Sequence, residues 1–263
     1  MKVAVEDFPP AAVVAGRTLI GASILIPIAI YRKKFGGAVL GFKYVAFYAL
    51  MEMIGPWILI TTAEQKINSG LAGLLVSTVP IFATIITSLR GDHSVWQFKR
   101  VFGIVIGFIG LILVVGIESL SGNSDPLSIA MVIVASMGYA YAVIMVTSNL
   151  PLVDGIAING LAMAITTVFW APVAIAQWPS SISMSSALSL IALGVFSTAI
   201  AFILFFKVMA EIGPARSSLV TYLNTAIAVL LGVIILREPL TVGIIVGLPM
   251  VLVGSYLASK KTA

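Results

Sequence analysis

Apolar residues run along this chain in blocks of about twenty, broken by short stretches of polar and turn-forming residues. A helix rises 1.5 Å per residue, so about 20 apolar residues cross the roughly 30 Å hydrocarbon layer of a bilayer. Nine blocks reach that length: 9–31, 42–62, 68–89, 98–117, 126–148, 154–177, 186–207, 214–236 and 240–259. The separators RKKFGG (32–37), SGNSDP (121–126) and QWPSSISMSS (177–186) are rich in helix breakers. The pattern predicts an all-α integral membrane protein with nine transmembrane helices.

Composition sharpens this. Of 263 residues, 60% are hydrophobic and only 10% are charged, against roughly 25% charged in soluble domains. Mean hydropathy is +1.15. A globule could not hide so much apolar surface, so the lipid bilayer is the first partner and the chain is multi-pass in a cell membrane. Net charge is +5, from 15 basic and 10 acidic residues. With the N-terminus outside, eleven Lys and Arg fall on inner segments: Arg32, Lys33, Lys34, Lys43, Arg90, Lys99, Arg100, Lys207, Arg216, Lys260 and Lys261. Only Lys2, Lys66 and Arg237 fall outside, and Arg17 sits within the first block. Basic residues collect on the cytoplasmic side, so the expected orientation is N-terminus out and C-terminus in. The positive charge is spent on orientation and gives no reason to expect nucleic acid. The first block opens on Pro9-Pro10 without a basic leader, which reads as a span and not as a cleaved signal.

The halves of the chain echo one another. PIAI at 27–30 returns as PVAI at 172–175, and Gly103 and Gly110 return as Gly247 and Gly254. At the same displacement Leu75-Val76 meets Leu219-Val220, and Ser77 meets Thr221. The expected plan is a five-helix unit repeated once, the first copy lacking its first helix. An odd number of helices turns the second copy upside down, the inverted plan of many secondary transporters. The halves divide as 1–120 (four helices) and 121–263 (five helices).

The segment AEIGPARSSLVTYLNTAIAVLLGVIILREPLTVGIIVGLPMVLVGSYL (210–257), with its REPLT turn and glycines, resembles the EamA type of the drug/metabolite transporter superfamily. So does the earlier copy, GLLVSTVPIFATIITSL (73–89) and VFGIVIGFIGLILVV (101–115). The resemblance covers nearly the whole chain. It implies ten helices, secondary-active export by alternating access, and coupling to protons or to exchange. Three departures stand out. Ser94 replaces the counterpart of Glu238, Asn224 replaces a usual proline that survives as Pro80, and the first helix is missing. A shortened gene start is the favoured account of the last, beside a naturally truncated paralogue and a partly crippled carrier; the alternative function is that of a truncated, non-transporting paralogue acting as a membrane binding or scaffold protein.

The expected substrate is a small metabolite or drug, with an amino acid, an aromatic metabolite or a lipophilic amine ahead of a highly charged phosphate ester. Candidate binding residues follow from polar groups within apolar blocks. Glu52 and Arg17 lie at nearly the same depth on consecutive antiparallel helices, and intramembrane charges are functional candidates. They are expected to pair, as a structural bridge or as a substrate or proton site. Trp57, one turn beyond Glu52, could cap a pocket. Tyr139 offers an aromatic ring with a polar tip and shares a face with Ser136; Trp170 and Tyr141 read as packing or interfacial anchors. Thr221 and Asn224 share a face with Ser217, Tyr222 lies on the adjoining one, and displacement by 144 takes Thr221 to Ser77. These small polar residues would line a central cavity or bond helix to helix.

The spacings GIVIG (103–107) and GIIVG (243–247) predict close helix packing within the bundle, with a homodimer seam as the other use. Cysteine is absent and His93 is the sole histidine, which removes disulfides, thiol nucleophiles and histidine-based metal sites or triads. No GxxxxGK[ST] motif supports ATP drive. No catalytic set, metal site or cofactor is expected, and the chain does not read as an enzyme.

Overall fold

The computed structural model describes residues 3–67, 69–115, 125–213, 217, 220, 223, 224, 227 and 242–259; among them there are helices and turns and no strand. Long helices are what a bilayer demands, because every backbone N–H and C=O must find its partner inside its own segment. In chain order they are α1 (Pro10–Tyr31), the short α2 (Phe35–Leu40), α3 (Phe42–Ala49), α4 (Gly55–Ala63), α5 (Ser69–Val76), α6 (Val79–Leu89) and α7 (Phe98–Val115). The later ones are α8 (Pro126–Asn149), α9 (Gly155–Ala176), α10 (Met184–Gly194), α11 (Ala201–Ile212) and α12 (Val242–Ser259).

Six stretches are long and apolar enough to cross a membrane by length and composition: Pro10–Tyr31, Phe42–Ala63, Leu71–Leu89, Pro126–Asn149, Gly155–Ala176 and Met184–Ile212. The fourth and ninth expected spans are the 18-residue α7 and α12. The eighth falls mostly outside the described residues, so the all-helical membrane fold stands without a count of nine.

Three expected spans are not plain α-helices. The second widens between α3 and α4 into a π-helical segment, Leu50–Ile54, where the Gly55 N–H reaches back to Leu50 O. Pro56 has no N–H to offer the carbonyl four residues before it, which is that of Glu52. The orphaned register opens into a wider turn, a feature frequent at functional sites. The seventh span does the same between α10 and α11, at Val195–Ile200. There Thr198 turns its hydroxyl onto Leu193 O at 2.8 Å. The third span breaks at Ser77-Thr78 ahead of Pro80, and both hydroxyls serve carbonyls of the preceding turn, Gly73 O and Leu75 O.

The repeat is visible in the element bounds. Displacing α1 by 145 residues gives α9, and displacing α7 by 144 gives α12. Pro27 and Pro172 lie inside α1 and α9, and the two π segments also correspond. Partner helices pack on each other. Gly21 of α1 faces Met163 and Gly160 of α9 faces Ile26, so the two run antiparallel. At the α7–α12 seam a Cβ on Gly103 would lie 2.6 Å from Gly254 O, and one on Gly110 would lie 2.7 Å from Gly247 O. The repeated glycines therefore meet each other inside one chain, where only a hydrogen fits between the backbones.

The largest core joins α1, α3, α4, α8, α9 and α11 through Leu25, Val45, Tyr48, Met53, Val146, Met163 and Phe206. Polar groups beside it bond across helices: Tyr48 Oη donates to Asn159 Oδ1 at 3.1 Å, and Thr18 Oγ1 meets Thr167 Oγ1 at 2.8 Å. At one end of the bundle Asp7 accepts from the backbone and side chain of Ser183, while Lys66 meets Asp125 at 3.4 Å.

Candidate functional site

The two π segments face a cavity of about 600 Å³. Its wall begins at Arg17 of α1, Glu52 of the first π segment and Trp57 of α4. It continues through Val76, Val79 and Ala83, then Tyr139, Ala140, Val143 and Ile144 of α8. Phe196 and Ile200 of the second π segment, Phe202, Phe205 and Val208 of α11, and Val220 and Asn224 complete it. Ala83, Ile144 and Val208 lie within two turns of the C-terminal ends of α6, α8 and α11. The cavity therefore spreads from mid-bundle toward the end that carries Arg90, Lys99 and Lys207, and away from the end tied by Asp7–Ser183 and Lys66–Asp125.

Arg17 is only 8% exposed. Its guanidinium carbon sits 3.8 Å from the centre of the Trp57 ring, and its Nε donates to Thr198 Oγ1 at 3.0 Å. A flat cation over an indole face is a favourable electrostatic pairing. Trp57 in turn leans against Phe202, 6.2 Å between ring centres. The guanidinium thus ties α1 to the π segment of the second half.

Glu52 is 7% exposed. The expected Arg17–Glu52 bridge is not formed: among the described residues the one ion pair is Lys66–Asp125. The reason is that Arg17 is drawn to the Trp57 face and to Thr198. Glu52 Oε2 is buried and accepts no hydrogen bond among the described residues. A buried polar atom left this way costs about 1–3 kcal/mol, and more when charged. A buried polar atom without a partner marks a place where water, an ion or a ligand would complete it.

The wider turn is itself held open from outside. The Trp170 indole N–H donates to Ile54 O at 3.2 Å, serving the carbonyl at the end of the π segment. Gly138 of α8 lets that helix lie against Met51 O, where a Cβ would come within 2.8 Å. Trp170, expected as an anchor, also packs edge-on against Phe169 at 5.2 Å. Tyr141 packs against Phe47 and lies beneath Arg90.

Of the eight binding candidates, Arg17, Glu52, Trp57, Tyr139 and Asn224 line this single cavity. Ser77 does not; it is fully buried and its hydroxyl serves Gly73 O at the α5–α6 break. Thr221 and Tyr222 lie outside the described residues. Ser136, sharing a face with Tyr139, donates to Val132 O and to Leu75 O, binding α8 to α5. Thr198, Phe196, Phe202 and Phe205 were not singled out from the sequence. The displacement of 144–145 that relates the halves carries Glu52 to Phe196 and Ser197, so the repeat held the signal for this second wall.

A family model agrees with the architecture. The EamA-like transporter family matches residues 1–116 and again 126–260. The chain belongs to the EamA-like transporter family. It is 27% identical over 266 residues to the uncharacterised transporter YoaV of Bacillus subtilis, spanning 98% of this chain and 89% of that protein. It is 26% identical over 272 residues to the uncharacterised inner membrane transporter YedA of Escherichia coli, spanning 99% and 87%. An uncharacterised transporter of Archaeoglobus fulgidus is 27% identical, spanning 78% of this chain and 72% of its own length. A solved crystal structure superposes with a TM-score of 0.79 at 16% identity, covering 95% of this chain and 88% of the other. The chain is therefore a membrane-embedded transporter of the EamA type.

Proposed function

We propose that this transporter is a secondary-active exporter of a small organic molecule, working by alternating access at the Glu52 cavity. The observation that carries the reading is the convergence of Arg17, Glu52, Trp57, Tyr139 and Asn224 on one cavity between the two halves. A binding site near the middle of a bundle, at the junction of two repeats, is what alternating access requires. A wall rich in hydrocarbon and aromatic rings with few polar groups suits a small, mostly apolar ligand.

The side to which the cavity spreads carries Arg90, Lys99 and Lys207, and basic residues favour the cytoplasm. On that reading the N-terminus is outside, the C-terminus is inside, and the structure is the inward-facing state. The outer face is closed by the Asp7–Ser183 and Lys66–Asp125 contacts. Glu52 is the coupling group: a carboxylate with an unserved oxygen can hold a proton in one half of the cycle and ligand in the other.

The absence of native cysteine makes the test direct. Single cysteines at Val208 and at Ser183 are labelled with a membrane-impermeant maleimide in right-side-out and inside-out vesicles. Val208→Cys should react from the inside and Ser183→Cys from the outside, and a transported ligand should change both rates in opposite senses. Labelling on the opposite sides refutes the orientation, and rates indifferent to every transported ligand refute alternating access.

A further inference from the structure

Resting on the transporter reading of this cavity, we infer that its ligand is a protonated aromatic amine, with the ammonium on Glu52 and the ring among the cavity's aromatic side chains. Three observations converge. Glu52 is more than nine-tenths buried, lines the cavity, and has an oxygen that accepts no hydrogen bond among the described residues. A carboxylate offers acceptors only, so it is completed by a group that brings both N–H donors and positive charge. An ammonium does both.

Second, the other intramembrane charge at the cavity is already engaged. Arg17 donates to Thr198 and lies on Trp57. A carboxylate ligand would have to share the guanidinium with both contacts, whereas an ammonium meets an oxygen of Glu52 that serves nothing else among the described residues. This sets an amine ahead of an organic acid. Third, the aromatic side chains of Trp57, Tyr139, Phe202 and Phe205 line the same space. Rings of this kind bind a second ring edge-on or offset and attract cations to their faces. A volume of about 600 Å³ holds a one- or two-ring arylalkylamine, in the range of small-molecule pockets.

Purified protein in nanodiscs separates the functional groups with four probes of equal skeleton: phenethylamine, its N-acetyl derivative, phenylalanine and 3-phenylpropionate. Binding is read by calorimetry, and counterflow of each labelled probe is read in proteoliposomes. The expected result is phenethylamine binding at least tenfold tighter than the N-acetyl compound and 3-phenylpropionate. That preference should be lost in Glu52→Gln and partly kept in Glu52→Asp, with both variants matching wild type in monodispersity and melting temperature within a few degrees. Equal binding of amine and amide overturns the inference. So does a preference for 3-phenylpropionate, a tighter grip on phenylalanine than on phenethylamine, or an amine preference that survives in Glu52→Gln. Counterflow distinguishes the two levels. Acid carried without amine sinks the amine assignment and leaves a transporter; amine bound in a Glu52-dependent way but never carried leaves the site and removes the transport reading.

Discussion

Thr198→Val tests what the hydroxyl that ties Arg17 to the second π segment contributes. Valine keeps the shape of threonine but removes the acceptor for Arg17 Nε and the hydroxyl's own bond to Leu193 O. The site is fully buried, so no bulk water replaces the lost oxygen. Hydrogen bonds to charged groups contribute about 1.5–3 kcal/mol. Bonds between helices in a bilayer average about 0.6 and reach about 1.7 kcal/mol. The charge on Arg17 places this one at the top of the bilayer range, about 1.5 kcal/mol, which corresponds to roughly tenfold in an equilibrium or rate. Counterflow of labelled phenethylamine in proteoliposomes should therefore fall about tenfold in Thr198→Val. Thr198→Ser, which restores the oxygen, should recover most of it. The comparison controls for packing, since serine leaves the smaller side chain. Transport within twofold of wild type in Thr198→Val would refute the idea that this bond positions Arg17. A serine variant as weak as the valine one would refute the role of the hydroxyl.

Three further outcomes follow from the geometry. Gly254→Leu drives a side chain into Gly107 N and Gly103 O at the α7–α12 seam, where a Cβ alone would come within 2.5 Å; overpacking of about 1–3 kcal/mol or more should lower the melting temperature in detergent, whereas Gly36→Ala, with nothing within 4 Å, should leave it unchanged. Arg17→Lys keeps the charge but loses the planar group that lies on Trp57 and the fork that reaches Thr198, so counterflow should fall by tenfold or more, and wild-type flux in that variant would show that charge alone suffices. Asp125 caps α8 through the Ser128 N–H and hydroxyl, and the Ser128 side-chain bond is the leading cause holding its carboxyl below the usual 3.8. A depressed folded value means the stabilisation is present above 3.8 and lost as pH falls through the folded value. The melting deficit of Asp125→Asn at pH 7 should therefore shrink in that acid range, and a deficit independent of pH would contradict the cap.

What the sequence disclosed depended on the range of the signal. Blocks of twenty apolar residues mark helices because lipid imposes both length and polarity, and the glycine pairs Gly103/Gly110 and Gly247/Gly254 pointed to a repeat whose partner helices do pack together. Glu52, Arg17, Trp57, Tyr139 and Asn224 could be named because polar groups in hydrocarbon are costly and therefore conspicuous. Their arrangement was less legible. Depth along two antiparallel helices predicted an Arg17–Glu52 bridge, but depth says nothing of azimuth, and Arg17 turned to Trp57 and Thr198 instead. Residues 50–54 and 195–200 read as ordinary helix because a π turn depends on local hydrogen-bond competition. Pro56 supplied the clue in the first half; in the second it was the hydroxyl of Thr198. Phe196, Phe202 and Phe205 were invisible among many apolar neighbours, since a ring that lines a cavity and one that faces lipid look alike in one dimension.

The central claim is that Glu52 is the working carboxylate of a substrate cavity. It is tested most directly by proton movement in proteoliposomes on addition of phenethylamine, wild type beside Glu52→Gln at matched incorporation. The account predicts a phenethylamine-dependent pH change in wild type that exceeds the passive change in protein-free liposomes, and no such excess in the variant. An equal excess in both would contradict it.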